Sequence, residues 1–186
     1  MHRRRGTHTG KTVQEKGLII MKKTLIVVDM QNDFIDMALG TKEAVAIVPK
    51  VRAKIEEYVK NGGEIIYTRD THAENYLETP EGKKLPVVHC VKGSRGWEIA
   101  DGLYVDGCKI IDKPNFGWPN WQEESLEEVE LIGLCTDICV VSNALIIKAM
   151  FPDAAVKVDK ACCAGVTPES HNAALTTMQM CQIDIV

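Results

Sequence analysis

No run of apolar residues in this chain approaches the roughly 20 needed to carry a helix across a bilayer, so no membrane partner is expected. A basic stripe is missing as well. The formal net charge is −4, and the first twenty residues hold five Lys or Arg against one acid, so the remainder is more acidic still. That balance argues against nucleic acid as a partner. The seven cysteines include no CxxC pair and no zinc-ribbon spacing. An odd number of thiols, in a chain of 186 residues that can build a core without disulfides, points to reduced cysteines and a cytoplasmic setting. The Arg cluster near the start is followed by no long apolar core, so it does not read as a secretory signal. Residues 1–20 are expected to be a disordered extension, a tag or the product of an upstream start. Met21 then opens a single domain covering 21–186. There is no internal repeat and no low-complexity segment.

What is present alternates. Residues 24–29 are a continuous β-rich apolar run, the pattern of a strand buried on both faces of a parallel sheet. Residues 30–36 follow as a polar, turn-rich loop. Pro49 suits the first turn of a helix whose stripe would be Val48, Val51, Ile55, Tyr58 and Val59, ended by Asn61-Gly62-Gly63. Residues 64–68 read as a second strand, with Asp70 and His72 just past its end. Residues 71–107 lack periodicity over a length that an idle connection rarely has, and a short helix is expected near 97–101. Residues 109–112 form a third strand ending at Lys113, and 114–121 then place three aromatics in eight residues. A central strand at 129–134, a helix at 137–150, a strand at 154–158 and an Ala-Cys-Cys-Ala-Gly loop come next. A helix at 168–180, with Ala174, Leu175, Met178 and Cys181 on its apolar side, and an edge strand at 183–186 complete the chain. Strands alternating with helices on short connections predict an α/β fold, a three-layer α/β/α arrangement around a doubly wound, mostly parallel sheet.

The stretch 131–141, Leu-Ile-Gly-Leu-Cys-Thr-Asp-Ile-Cys-Val-Val, turns from strand into helix. With Thr136 or Asp137 as N-cap, Cys139 falls in the first turn, near free backbone amides and the positive end of the helix dipole. Both favour thiolate, the reactive form. A buried structural cysteine is the commoner fate of such a residue, so its company decides. Asp29, Asp70, His72 and Lys113 each follow a different strand or share one strand end, and a parallel sheet gathers such ends on one edge, where ligands bind.

These segments together make the sequence similar to the isochorismatase-like cysteine hydrolases, and within them to the metal-containing nicotinamidases. The resemblance covers residues 22–186. It rests on Asp-Met-Gln-Asn-Asp-Phe (29–34), Thr-Arg-Asp-Thr-His (68–72), His-Cys-Val-Lys-Gly-Ser (89–94), Lys113 and Gly-Leu-Cys-Thr-Asp-Ile-Cys-Val (133–140). It implies a triad of Asp29, Lys113 and Cys139, with Asp29 as proton carrier, Cys139 as nucleophile and Lys113 as a fixed charge that holds Asp29 ionised and lowers the thiol pKa. It also implies a cis peptide between Leu134 and Cys135, and an oxyanion hole from the amides of Cys135 and Cys139. Asp70, His72 and His89 become ligands to a divalent ion, zinc first with manganese or iron as alternatives, and Glu81 a less general fourth ligand. The ion would anchor a ring nitrogen of the substrate. The implied partner is a small amide, and the implied assembly a homo-oligomer, dimer or tetramer.

Two departures bear on the substrate. Many nicotinamidases carry an aromatic residue shortly before the third ligand, where this chain has Leu85-Pro-Val-Val88, so Phe34, Tyr76 and Trp118 are the pocket aromatics expected instead. Many also have a Tyr-Ser pair soon after the lysine, replaced here by Pro-Asn-Phe-Gly-Trp. The expected activity is release of ammonia from nicotinamide or a similar small amide through a thioester on Cys139. A ureido or carbamoyl cysteine hydrolase is the enzyme alternative, disfavoured because such relatives generally lack the metal set. A true isochorismatase lacks the nucleophilic cysteine. A non-catalytic binding protein on the same fold is the third reading.

Overall fold

The computed structural model describes residues 22–186; the expected N-terminal extension, 1–20, lies outside the described residues. Six strands form one all-parallel sheet: β1 (Lys23–Val28), β2 (Glu64–Asp70), β3 (Lys109–Lys113), β4 (Glu128–Leu134), β5 (Ala155–Ala164) and β6 (Asp184–Ile185). Their order across the sheet is β3-β2-β1-β4-β5-β6. The chain winds outward one way from β1 and then the other way from β4. The seam between β1 and β4 is therefore the switch point, where an open parallel sheet leaves a crevice at its carboxyl edge.

Alternation along the buried strands sorts the core into two layers. Leu25, Val27, Ile65, Tyr67 and Ile132 face α2 (Lys42–Lys60), which contributes Ile47, Val51, Ile55 and Tyr58. Ile26, Val28, Ile66, Leu131 and Val158 face the opposite way, against α4 (Val141–Met150) and α5 (Pro168–Met180). Two short helices, α1 (Asn32–Ile35) and α3 (Pro80–Lys84), lie in the loops over the carboxyl edge. This is the three-layer arrangement the alternation predicts.

Several boundaries differ from expectation, each for a local reason. Helix α2 begins at Lys42, where the Thr41 side chain accepts a hydrogen bond from the Ala44 amide, so Pro49 sits inside the helix and not in its first turn. Its buried stripe is Ala44, Ile47, Val51, Ile55 and Tyr58, while Val59 is exposed. No helix forms at 97–101. There the chain runs alongside Gln31 as an isolated bridge at Ile99, and the helical turns of the insertion are Tyr76–Glu78 and α3, the latter capped by Thr79. Strand β5 carries on through Cys162 and Cys163, which the sequence suggested were loop. An irregularity opposite Leu131–Gly133 lets Asp159 and its neighbours bulge out before pairing resumes at Gly133 with Cys163. Cys181 is exposed at the end of α5, not part of its apolar side.

Candidate active site

Four strand ends build one site. Asp29 follows β1 at φ 47, Asp70 closes β2, Lys113 closes β3, and the loop after β4 leads to Cys139. Asp70 and Lys113 are partners in the β2–β3 register. Gly133, at φ 116, lets β4 approach β1 so closely that a Cβ there would lie 2.1 Å from the Val28 carbonyl oxygen. The Leu134–Cys135 peptide is cis.

The segment carrying Cys139 is not the helix start that the sequence suggests. Thr136–Val140 form one π-helical turn that feeds α4, and Cys135 stands at the cap position with no side-chain cap bond. Both expected caps are engaged elsewhere. Thr136 Oγ1 meets His171 Nδ1 of α5 at 2.8 Å, and the Asp137 carboxylate accepts the Val166 amide. Polar side chains here tie the loop to α5 and leave the first-turn amides free of side-chain acceptors.

Asp29, Lys113 and Cys139 meet in a fully enclosed cluster. The Lys113 ammonium lies 2.7 Å from Asp29 Oδ2 and 3.4 Å from Cys139 Sγ, and donates to the Asn115 carbonyl at 3.2 Å. Asp29 Oδ1 accepts from Thr68 Oγ1 at 2.6 Å. Lys113 and Asp29 are without solvent exposure and Cys139 has 4 %. Burial raises the Asp29 pKa above the usual carboxylate range, opposed by the Lys113 charge. Burial would lower the Lys113 pKa, but Asp29, Cys139 and Asp70 beside it outweigh that and push it up. Burial, and then the Asp29 charge, drive the Cys139 thiol well above its ordinary value. The sequence expectation of a lowered thiol pKa is thus reversed at rest. One ammonium already balanced by one carboxylate cannot stabilise a second anion in a dry site.

Beside it stands a second group. One ligand atom each from Asp70, His72, Glu81 and His89 lie within 4.8 Å of one another. His72 Nε2 is 2.9 Å and His89 Nε2 3.6 Å from Asp70 Oδ2, and Glu81 Oε1 is 3.7 Å from His72 Nε2. His89 Nδ1 lies 2.8 Å from the Val87 carbonyl, which fixes its proton there and leaves Nε2 a lone pair facing the cluster. Buried Asp70 Oδ1 and His72 Nε2 have no aligned hydrogen-bond partner among the described residues. Burial would raise the Asp70 pKa, but the neighbouring His72 and His89 rings and the Lys113 charge hold its carboxyl well below the usual range. An ionised carboxylate, two imidazole nitrogens and a second carboxylate within this distance, the buried His72 Nε2 among them without a hydrogen-bond partner, fit a first-row divalent ion.

Both groups open on a cavity of about 270 Å³ walled by Phe34, Leu39, Leu85, Phe116, Ile138 and Val166, with Asp70 and His89 at one side and Cys135 and Cys139 at another. Phe34 lines it as expected, tilted against His89 at 5.6 Å between ring centres. Tyr76 and Trp118 do not. Tyr76 is buried behind the histidines, 4.6 Å from the His72 ring and 4.9 Å from His89, with its hydroxyl tied to the Leu85 carbonyl. Trp118 turns toward the core, its amide bound to Asn143 Oδ1, and Phe116 takes the wall instead.

Two buried amides escaped the sequence reading. Gln31 brackets the Asp70 backbone, its Oε1 accepting from Asp70 N–H at 2.8 Å and its Nε2 donating to Asp70 C=O at 2.9 Å. Asn143 donates to the Cys139 carbonyl at 2.8 Å and accepts from the Trp121 indole and the Trp118 amide. Gln31 lies in a polar loop and Asn143 in an apolar helix; the second could have been flagged as a lone amide on a buried face.

The chain matches the isochorismatase domain over residues 23–185. It is 25 % identical to the nicotinamidase/pyrazinamidase of Mycobacterium tuberculosis over 187 residues, 88 % of this chain and 98 % of that one. The pyrazinamidase of Pyrococcus horikoshii, solved in complex with zinc, superposes with a TM-score of 0.76 at 29 % identity, covering 89 % of this chain and 99 % of that one. The N-carbamoylsarcosine amidase of Thermoplasma acidophilum superposes at 0.72 with 25 % identity, covering 89 % and 95 %.

Proposed function

Since this chain belongs to the isochorismatase domain family, we propose that it is an amidohydrolase that releases ammonia from nicotinamide or a similar small ring amide through a thioester on Cys139. The observation that carries the reading is the enclosed Asp29–Lys113–Cys139 cluster opening on the same cavity as the Asp70/His72/His89 group.

The chemistry follows from the charges. With Lys113 holding Asp29 as carboxylate, a thiol proton can pass to Asp29 as sulfur attacks an amide carbonyl. The charge then develops on the carbonyl oxygen, which the amides of Cys135 and Cys139 are proposed to receive. Asp29 returns the proton to the leaving ammonia and afterwards draws one from the water that cleaves the thioester. Total charge in the dry cluster stays constant through these transfers, which is why a raised thiol pKa is compatible with attack.

Asp70, His72 and His89, with Glu81 beside them, would hold a divalent ion, for which zinc is the first choice by donor type. When bound, it supplies a Lewis-acid anchor for a ring nitrogen. Phe34 and Leu85 would flank the ring, and Leu39, Ile138 and Val166 would exclude water. A cytoplasmic setting and a homo-oligomeric assembly belong to the same reading.

The test is ammonia release over a panel of nicotinamide, pyrazinamide, benzamide and N-carbamoyl amino acids, with and without prior chelation. Preference for the ring amides with a nitrogen opposite the metal group supports the proposal. Preference for the carbamoyl substrates, insensitive to chelator, would move it to the ureido hydrolases, and no turnover of any substrate would favour a binding protein.

A further inference from the structure

The metal-site reading leaves unexplained why an aspartate is buried in the short helix over the site. Asp33, on α1, is 7 % exposed and touches no cation among the described residues. Its Oδ2 accepts the Cys90 amide at 2.7 Å and its Oδ1 the Ala38 amide at 3.4 Å. Its own amide donates to the Gly96 carbonyl at 3.0 Å, and its carbonyl accepts the Leu39 amide at 2.8 Å.

Cys90 is the informative partner. It is wholly buried and has φ 45, a left-handed backbone that a residue with a side chain keeps only when its surroundings hold it. The residue before it is His89. The Cys90 carbonyl accepts the His72 amide at 3.0 Å, and the His72 carbonyl in turn accepts the Lys92 amide at 2.9 Å. One peptide segment thus connects the two histidines, and the Asp33 carboxylate holds its N–H. On the other side of that carboxylate lies Gly96, where a Cβ would fall 2.0 Å from Oδ2 and 2.3 Å from Oδ1. The glycine leaves room for the carboxylate to reach Cys90.

We propose that Asp33 is the positioning residue of the histidine pair: by holding the Cys90 amide it sets the relative placement of His72 and His89, and with it the affinity for the divalent ion. This rests on the reading of Asp70, His72 and His89 as metal ligands, and the experiment separates the two.

Metal-stripped protein is titrated with zinc against a chromophoric chelator, and with cobalt(II), whose visible absorption reports ligand geometry. Wild-type protein should bind one ion. Asp33→Ala should weaken zinc binding about 10- to 100-fold, the range typical for groups that orient ligands, and alter the cobalt spectrum. Asp33→Asn keeps an oxygen that can accept the Cys90 amide, and should fall between the two. Gly96→Ala, which displaces the carboxylate from the opposite side, should reproduce the Asp33→Ala spectrum. Cys139 alkylation should be unchanged in all three. If wild-type protein binds no ion, the ligand reading and this proposal fall together. If wild-type binds and the variants bind equally well, whatever their melting temperatures, the ligand reading stands and Asp33 is only a loop cap. Should Asp33→Ala fail to fold, Asp33→Asn and Gly96→Ala decide the question by the same readouts.

Discussion

At the scale of single residues, the thiol and its carboxylate neighbour make opposite demands on a mutation. Asp29→Asn removes the proposed base, and ammonia release should drop by roughly 100- to 10,000-fold. The same change removes the charge that helps to raise the Cys139 pKa while leaving Lys113 in place. The thiol pKa should therefore fall, and iodoacetamide should label Cys139 faster at neutral pH than in wild-type protein. Alkylation rates measured across pH check this, and slower labelling in parallel with lost turnover would contradict it. A second expectation concerns the histidines: chelation or His89→Ala should raise KM for nicotinamide steeply, with little effect on Cys139 labelling. Steady-state kinetics and labelling on one preparation test both halves. Asp29, Asp70, His72, Lys113 and Cys139 were legible in the sequence because each lies at or just past an apolar run that reads as a buried strand, whereas His89 and Glu81, in the insertion, came only from the family resemblance. The ionisation of these groups was not legible. A helix start beside Cys139 argued for thiolate, but enclosure next to Asp29 is a property of the folded site, and it wins.

At the scale of elements, Gly133 leaves no room for a side chain between β4 and the end of β1. Gly133→Ala would press a methyl group into the Val28 carbonyl and force an unfavourable φ. It should destabilise by about 1–3 kcal/mol or more, seen as a lower urea midpoint, and should also disturb the cavity wall at Leu134. Long, strongly patterned elements were readable from sequence, while their ends were not. Thr41 starts α2 seven residues before the proline that suggested a start, because a side-chain cap outweighs the preference of proline for the first turn. Strand β5 looked finished at Val158 because its next residues are charged, yet Asp159 is neutralised by Lys54 of α2, Lys160 stays exposed, and pairing resumes at Cys163 after the irregularity. The insertion between β2 and β3 gave the least, since its order comes from contacts such as Gln31 with the Trp97 carbonyl and Asp33 with the Cys90 amide, far away in sequence.

For the molecule as a whole, a largely covered charge cluster between α2 and the sheet contributes to stability against pH. Lys54 of α2 bridges Glu130 of β4 at 2.9 Å and Asp159 of β5 at 3.1 Å. Burial would raise the Asp159 pKa, but the Lys54 bond and the Ala161 amide hold it below the ordinary value. A carboxyl lowered in the folded state stabilises above its unfolded value near 4 and loses that contribution as pH falls. Lys54 is raised by the same partners against burial, so its share is present below about 10 and lost as pH climbs beyond. Urea midpoints should fall on the acid side, as pH drops below about 4 and this cluster loses its contribution. Lys54→Met should lower stability near neutral pH by roughly 1–3 kcal/mol and weaken the acid slope; an unchanged slope would assign the acid loss to other carboxylates.

The strand order has a further consequence. In the sheet β3 pairs with β2 alone, and it is β3 that delivers Lys113. An outer strand opens more readily than the interior of a sheet, so fraying there demands far less free energy than global unfolding. Should β3 lift, Asp29 and the thiol would face each other without their cation while the remaining five strands kept their shape. Function would then be the first thing lost under mild denaturant, ahead of any change in helical signal, and amide exchange at Ile111–Lys113 would keep time with it.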